Sequence, residues 1–290
     1  MAELLQYLAT GITIGAVYAL VALGFTLIYN CSGIVNFAQG EFVMIGGMVT
    51  VALTAYGLPL EAAAAGAVAV AIMVGIAIYV FAVAPAGRAS PVTIIIITIG
   101  VSIFLRGCAQ ILFGKQFHGL KPFLTEEPVM IMGAAVQSQA FLVIGGMAAA
   151  SLVFWLMLER TLVGKALLAT AANRLAAQLV GIDLRRIMLI AFGGSAAIGA
   201  IAGILVTPIT LTSYDVGTML ALKGFAAAML GGMGSPLGAV AGGLLLGLAE
   251  ALAAGYLSSA YKDAIAFLAT FAVLLLAPNG LLGRRSINRV

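Results

Sequence analysis

Nine apolar runs divide the chain, at 8–29, 42–56, 62–84, 92–113, 139–158, 187–207, 217–232, 236–257 and 262–278. A helix crosses the hydrocarbon core of a bilayer in about 20 residues. Most of the runs reach that length. The runs at 42–56 and 217–232 are short, and each reads either as a short crossing or as a half-helix. The pattern predicts an all-α fold: a polytopic transmembrane helical bundle of about eight to nine spans with short or broken helices, forming one domain over 1–290.

Composition supports the lipid setting. Hydrophobic residues make up 63% of the chain and charged ones 8%, with mean hydropathy +1.18. A soluble domain averages roughly 25% charged residues, so a water-soluble fold is excluded. The net charge of +4 therefore carries no implication of nucleic acid binding. It reflects basic residues gathered in loops, which orient the bundle. Arg160, Lys165, Arg174, Arg185 and Arg186 fall in 159–186, Arg88 in the short loop after the third run, and Arg284, Arg285 and Arg289 in the tail. Placing all three groups on the cytoplasmic side puts the N-terminus and the loop 114–138 outside. Keeping the tail inside then requires nine crossings. The first run is preceded by an acid, Glu3, and is longer than a signal-peptide core, so it is expected to be a retained span. The outer loop is expected to form a structured cap, with His118 simply solvated in it.

Polar residues inside apolar surroundings are the candidate chemistry. An ionised side chain at mid-bilayer costs about 2.5–3.5 kcal/mol on insertion scales, so it faces a partner or a hydrated path. The stretch CSGIVNFAQGEFVMIGG, Cys31 to Gly47, holds Asn36, Gln39 and Glu41 among glycines that include Gly40. It reads as a helix interruption lining a hydrated passage, because irregular backbone at membrane depth is tolerated only inside protein or beside water. Arg106 and Glu250 are further candidates for the pathway, with an ion pair between Arg106 and either Glu250 or Glu41 as the structural alternative. The step Gly234-Ser235-Pro236 must break a second helix, since proline disfavours helical geometry in the residue before it. The glycine-rich helix following it is the expected counterpart of 40–47 in an internal repeat of broken helices.

No catalytic or metal site is expected. A phosphate-binding loop needs G-x-x-x-x-G-K-[ST], and neither GCAQILFGKQ nor LVGKAL meets that spacing. Cys31 and Cys108 form no C-x-x-C pair and predict neither a disulfide nor a metal centre. The chain is not expected to be an enzyme or to bind a cofactor itself. If transport is powered, ATP and Mg²⁺ belong to separate subunits.

The segment 159–186 predicts an amphipathic helix on the cytoplasmic face. Leu168, Ala172, Leu175 and Leu179 form one stripe and Thr170, Asn173, Arg174 and Gln178 the other, with Gly181 as the stop. Such a helix either lies on the lipid interface or docks a soluble partner. It lacks the aromatic anchors of an interfacial helix, which favours docking. Its Ala176-Ala177-x-x-x-Gly181 resembles the core of the cytoplasmic loop of ABC-importer permeases, with Leu175 where a glutamate is usual.

Three longer stretches resemble one family. Gly15 to Gly47, the glycine-rich 226–250 and the ending 274–285 are similar, in order and spacing, to the LivH-type permeases of branched-chain amino acid ABC importers. The resemblance implies a bacterial inner-membrane permease that pairs with a homologous, LivM-like second permease. It also implies two cytoplasmic ATPase subunits and an extracytoplasmic substrate-binding protein. In that scheme 161–183 is the coupling segment, with Gly164, Arg174, Ala176, Ala177 and Gly181 at the ATPase, and the loops 114–138 and 207–218 receive the binding protein. Permeases for urea and short amides share the signature. An ATP-independent secondary transporter and a structural membrane protein without a substrate are the readings from other classes.

Overall fold

The structure, a computed structural model, describes residues 2–87, 89–124 and 127–283. Arg88, Arg284, Arg285 and Arg289, used above for orientation, lie outside the described residues. The chain order is α1 (Ala2–Ser32), α2 (Gln39–Ala55), α3 (Leu60–Ala77) prolonged by a π-helical turn (Ile78–Val83), α4 (Pro91–Phe113), β1 (Val129–Ile131), β2 (Ala134–Val136), α5 (Ser138–Arg160), α6 (Leu162–Ala172), α7 (Arg174–Leu179), α8 (Leu184–Thr210), α9 (Val216–Gly231), α10 (Pro236–Tyr256) and α11 (Lys262–Leu276). Among the described residues six helices are long and apolar enough to cross a membrane: α1, α3 with its π turn, α4, α5, α8 and α10. The shorter α2, α9 and α11 have 17, 16 and 15 residues.

Glycine-mediated contact sets the direction of each neighbour. Gly15 of α1 lies against Gly243 and Leu244 of α10, Gly247 against Gly11 and Gly15, and Gly255 against Tyr7, so α1 and α10 are antiparallel with their backbones touching. Small residues permit this approach. It also explains why α1 is sheathed by protein: from Gly15 to Ile28 almost every side chain is buried. The helix α3 is antiparallel to α8, with Gly75 on Phe192 and Ala196. By contrast α4 and α5 bury only a narrow stripe each and leave side chains such as Ile96, Ile103, Phe104 and Val153 exposed, as lipid-facing helices do.

The short helix α2 runs parallel to α8. Gln39 reaches Ser195, a Cβ on Gly46 would strike Ala200, and one on Gly47 would meet Thr207. It therefore starts within the bundle. Residues 33–38 carry the chain back from the end of α1 to the level of Gly24, roughly 12 Å from Ser32 at 1.5 Å per residue. Gly33, at φ +67, makes the reversal. The helix α9 also starts inside, because a Cβ on Gly40 would strike the Gly217 carbonyl. The approach to α9 hangs from the far end of the bundle, where His118 and Thr212 exchange backbone hydrogen bonds of 2.8 and 2.7 Å. His118 is thus part of a bridge and not merely a solvated loop residue; its ring Nε2 lies 3.2 Å from the Phe113 carbonyl.

The break expected at 234–236 is present: Gly232 and Gly234 have φ of +107 and +91, Ser235 accepts a hydrogen bond from Gly238 N, and Pro236 opens α10. The short helix whose first turn meets the first turn of α2 is α9, while α10 is a full-length helix with glycines that pack on α1. The end of the described chain returns to α9. Leu281 N and Leu282 N donate to the carbonyls of Leu230 and Gly231 at 2.9 Å each, satisfying acceptors that a helix C-terminus leaves free.

Two connections shape the ends of the bundle. Between α4 and α5 the residues 129–136 form a hairpin at one end, β1 antiparallel to β2, pinned to α1 by Gln6 Nε2 donating to Ala135 O at 2.9 Å. The other end carries α6 and α7. The single amphipathic helix expected there is two helices, since Asn173 leaves helical geometry (φ −159, ψ 108) and caps α7 by accepting from Ala176 N at 3.0 Å. The break also changes which side is buried. Gly164, Leu167, Thr170 and Ala177 face inward, whereas Leu168, Leu175 and Leu179 are exposed.

Candidate functional site

The segment between α1 and α2 is built from side chains that replace missing helical hydrogen bonds. Asn36 Oδ1 accepts from Ala38 N at 3.1 Å, the Asn36 carbonyl accepts from Gln39 N at 3.1 Å, and Thr98 Oγ1 of α4 accepts from Phe37 N at 3.2 Å. Each satisfies a backbone group that lipid would leave bare. Asn36 and Gln39 are fully buried and Glu41 nearly so.

Gln39 ties three helices together. Its amide Nε2 donates to Ser195 O at 3.2 Å, and the Ser195 hydroxyl lies 2.5 Å from Gln39 Oε1 and 2.8 Å from Gly24 O. Gly24 is required here, since a Cβ would strike the Gln39 amide nitrogen. Replacing Ser195 with alanine is expected to lower stability by about 1–3 kcal/mol, the penalty for leaving a buried polar partner unpaired. Thermal unfolding of the detergent-purified protein measures it, and an unchanged midpoint would remove Ser195 from the tie.

Glu41 points to α4 and α9. Its Oε1 accepts from Ser102 Oγ at 2.7 Å and lies 3.7 Å from Arg106 Nε, an ion pair too long for a hydrogen bond. Its Oε2 is directed at Gly217, where an added Cβ would stand 2.8 Å from it. Thr98, Ser102 and Arg106 follow one another at intervals of four, so one stripe of α4 serves the whole break.

Glu250 is not brought to this place. It sits in a second polar cluster, where Tyr18 OH donates to Oε2 at 2.8 Å and Lys223 Nζ to Oε1 at 2.8 Å. Lys223 also pairs with Asp263 at 2.7 Å, and Lys262 stands 3.5 Å from Glu250. The alternative pairing of Arg106 with Glu250 is thereby replaced by Arg106 with Glu41. Beside the break, the ring of Phe225 lies between those of Phe25 and Phe37, tilted to both, with centroids 5.8 and 5.4 Å away.

The five residues singled out in 159–186 divide by position. Gly164 and Ala177 are buried; a Cβ on Gly164 would strike the Met157 carbonyl, so that glycine lets α6 fold back on α5. Ala176 and Gly181 are exposed, and Gly181 is needed for its φ of +89. Arg174 donates to Ser32 O at 3.4 Å, placing its charge at the C-terminus of α1, immediately before the break. Among the described residues no group of three or more His, Cys, Asp and Glu side chains could hold a metal, and both cysteines are free.

The chain matches the family described as branched-chain amino acid transport system / permease component over residues 7–274. It is 34% identical to the high-affinity branched-chain amino acid transport system permease protein LivH of Escherichia coli K12, over 99% of this chain and 97% of that protein. It is 32% identical to the corresponding protein BraD of Pseudomonas aeruginosa, over 99% and 98%. Among solved structures, PsaBC from Streptococcus pneumoniae in complex with Fab aligns with a TM-score of 0.46 and 19% identity, over 95% of this chain and 89% of that one.

Proposed function

The chain belongs to the family of branched-chain amino acid transport permeases, and from that premise we propose that it is one permease subunit of an ATP-driven importer of leucine, isoleucine and valine. Its place is the inner (plasma) membrane of a bacterium. A homologous second permease completes the membrane part, two ATPase subunits bind at the end carrying α6 and α7, and an extracytoplasmic binding protein delivers solute to the hairpin end. Near-full-length similarity to LivH carries the reading. The polar break inside an otherwise apolar bundle supports it, because a passage for a zwitterion needs hydrogen-bonding groups at depth.

In this reading Asn36, Gln39, Gly40, Glu41 and Arg106 border the passage. The chain carries no phosphate-binding loop of its own, so ATP and Mg²⁺ reside on the partner ATPases and their motion reaches the membrane through Gly164, Arg174, Ala176, Ala177 and Gly181. The contact from Arg174 to the end of α1 supplies a short mechanical route from α7 to the break. Glu250 stabilises the outer part of the bundle through its lysine and tyrosine partners.

Proteoliposomes test the proposal. Radiolabelled leucine is expected to accumulate only when this chain, the second permease, both ATPases, the binding protein and ATP are all present. Accumulation by the two permeases without ATPases would overturn it in favour of a secondary transporter.

A further inference from the structure

We propose that Glu41 and Arg106, with the two helix tips at Gly40 and Gly217, form a head-group subsite that recognises the ammonium and carboxylate of an α-amino acid. This deepens the transport reading and rests on it. It places part of the substrate selectivity in this chain and not solely in the binding protein.

The starting observation is a concentration of unused hydrogen-bonding capacity. Among the described residues the buried side-chain polar atoms without a hydrogen-bond partner are Thr26 Oγ1, Asn36 Nδ2, Glu41 Oε2, Arg106 Nε, Thr218 Oγ1 and Asp263 Oδ1. The last has Lys223 Nζ at 2.7 Å as its ionic partner. Of the others, all but Thr26 belong to the break, the first turn of α2, the facing stripe of α4 or the first turn of α9. Native proteins rarely leave such groups unpaired, so a cluster of them requires a reason. Glu41 is 1% exposed and its free oxygen is aimed at Gly217, where the tips of α2 and α9 meet.

The chemistry of the cluster is directional. Asn36 Nδ2 and Arg106 Nε are donors only, and the Thr218 hydroxyl can donate. The first turns of α2 and α9, the ends of a helix that favour an anion, meet beside Glu41 at Gly40 and Gly217. Together they suit a carboxylate. Glu41 Oε2 is an acceptor beside them and suits an ammonium group. A zwitterionic head group therefore matches both halves, whereas neutral urea or an amide would leave the charges of Glu41 and Arg106 unanswered. The long 3.7 Å separation of that pair fits the same account, since neither charge spends its hydrogen bonds on the other. In this structure the tips touch through Gly40 and Gly217, so a solute is admitted only when α2 and α9 part.

Saturation-transfer NMR on the full complex without the binding protein tests this, in the nucleotide-free and vanadate-trapped states, with L-leucine, 4-methylpentanoate and isoamylamine as probes. The two analogues each lack one charge of the head group. The wild-type complex is expected to bind leucine at least tenfold more tightly than either analogue. Glu41→Gln is expected to weaken leucine at least tenfold and to narrow its advantage over 4-methylpentanoate. Arg106→Gln is expected to do the same with respect to isoamylamine. A structural role alone would weaken all probes without changing their order, and that outcome would overturn the proposal. So would wild-type binding of either analogue as well as leucine, or the absence of a leucine signal in both states. The broader reading fails separately, if wild-type uptake in proteoliposomes proves independent of the ATPases.

Discussion

Lys223→Met is expected to destabilise the protein by about 3–5 kcal/mol, the range for removing one partner of a buried ion pair. Lys223 is the hub of its cluster: it stands 2.8 Å from Glu250, 2.7 Å from Asp263 and 3.0 Å from the Tyr18 hydroxyl. Methionine preserves length and apolar contact but leaves Glu250, only 3% exposed, with a tyrosine hydroxyl and a lysine 3.5 Å away. Asp263 loses its closest cation as well. The damage is concentrated on α11, which buries only Ala266 and Thr270 and so depends on Asp263 and Lys262 for attachment. Changing Glu250 to Gln in the same protein is expected to recover most of the loss, because the uncompensated charge disappears with its partner. Denaturation in mixed micelles of the two single variants and the double variant reads this as a double-mutant cycle. A single-variant loss below about 1 kcal/mol, the range of exposed ion pairs, would show that the cluster is solvated and does not tether α11.

This cluster marks where the sequence stopped being informative. Lys223 and Glu250 could be recognised as charges needing partners, because each interrupts an apolar run. Which partners they take depends on the packing of α1 with α9 and α10 and of α11 against those two. Tyr18, 205 positions from Lys223 and 232 from Glu250, gives no local signal. The same holds for Ser195 and Ser102. In a membrane helix a hydroxyl usually bonds its own carbonyl four residues back, as Thr13, Thr50 and Thr207 do here, so a serine that instead crosses to Gln39 or Glu41 looks no different in sequence.

What was legible followed from simple constraints. The long runs emerged as helices because lipid leaves the backbone no alternative. The polar stretch from Asn36 to Glu41 was readable as an interruption, and Gly234-Ser235-Pro236 as a break, since proline and glycine act locally. That the first turn of α2 meets α9 and not α10 was not readable. Glycine density favoured α10, yet glycines signal close approach without naming the neighbour, and those of α10 are spent on α1. The split between α6 and α7 was missed for a different reason: the spacing of apolar residues stays helical across Asn173, and only its capping geometry interrupts the helix.

That split leads to the largest functional effect expected of a surface substitution. Leu175 and Leu179 of α7 and Val180, its C-cap, are 73, 88 and 77% exposed, at the end where the ATPases are proposed to bind. The helix beneath them is firmly placed by buried Ala177, the Asn173 cap and the Arg174 bond to Ser32 O. Leu175→Glu and Leu179→Glu together are therefore expected to leave stability within about 0.5 kcal/mol, as surface changes do. ATP-driven leucine uptake in proteoliposomes should nevertheless fall at least tenfold, because the apolar contact to an ATPase groove is lost. Ala177→Glu would be a poorer probe, since it buries a charge and disturbs the fold itself. A lipid-interface role for the same leucines is separated by Leu179→Trp. A membrane interface welcomes tryptophan, whereas a groove shaped for leucine does not, so uptake should drop in this variant too. Undiminished uptake with both substitutions would mean that ATPase motion enters the permease elsewhere, and full retention with tryptophan alone would assign the leucines to lipid.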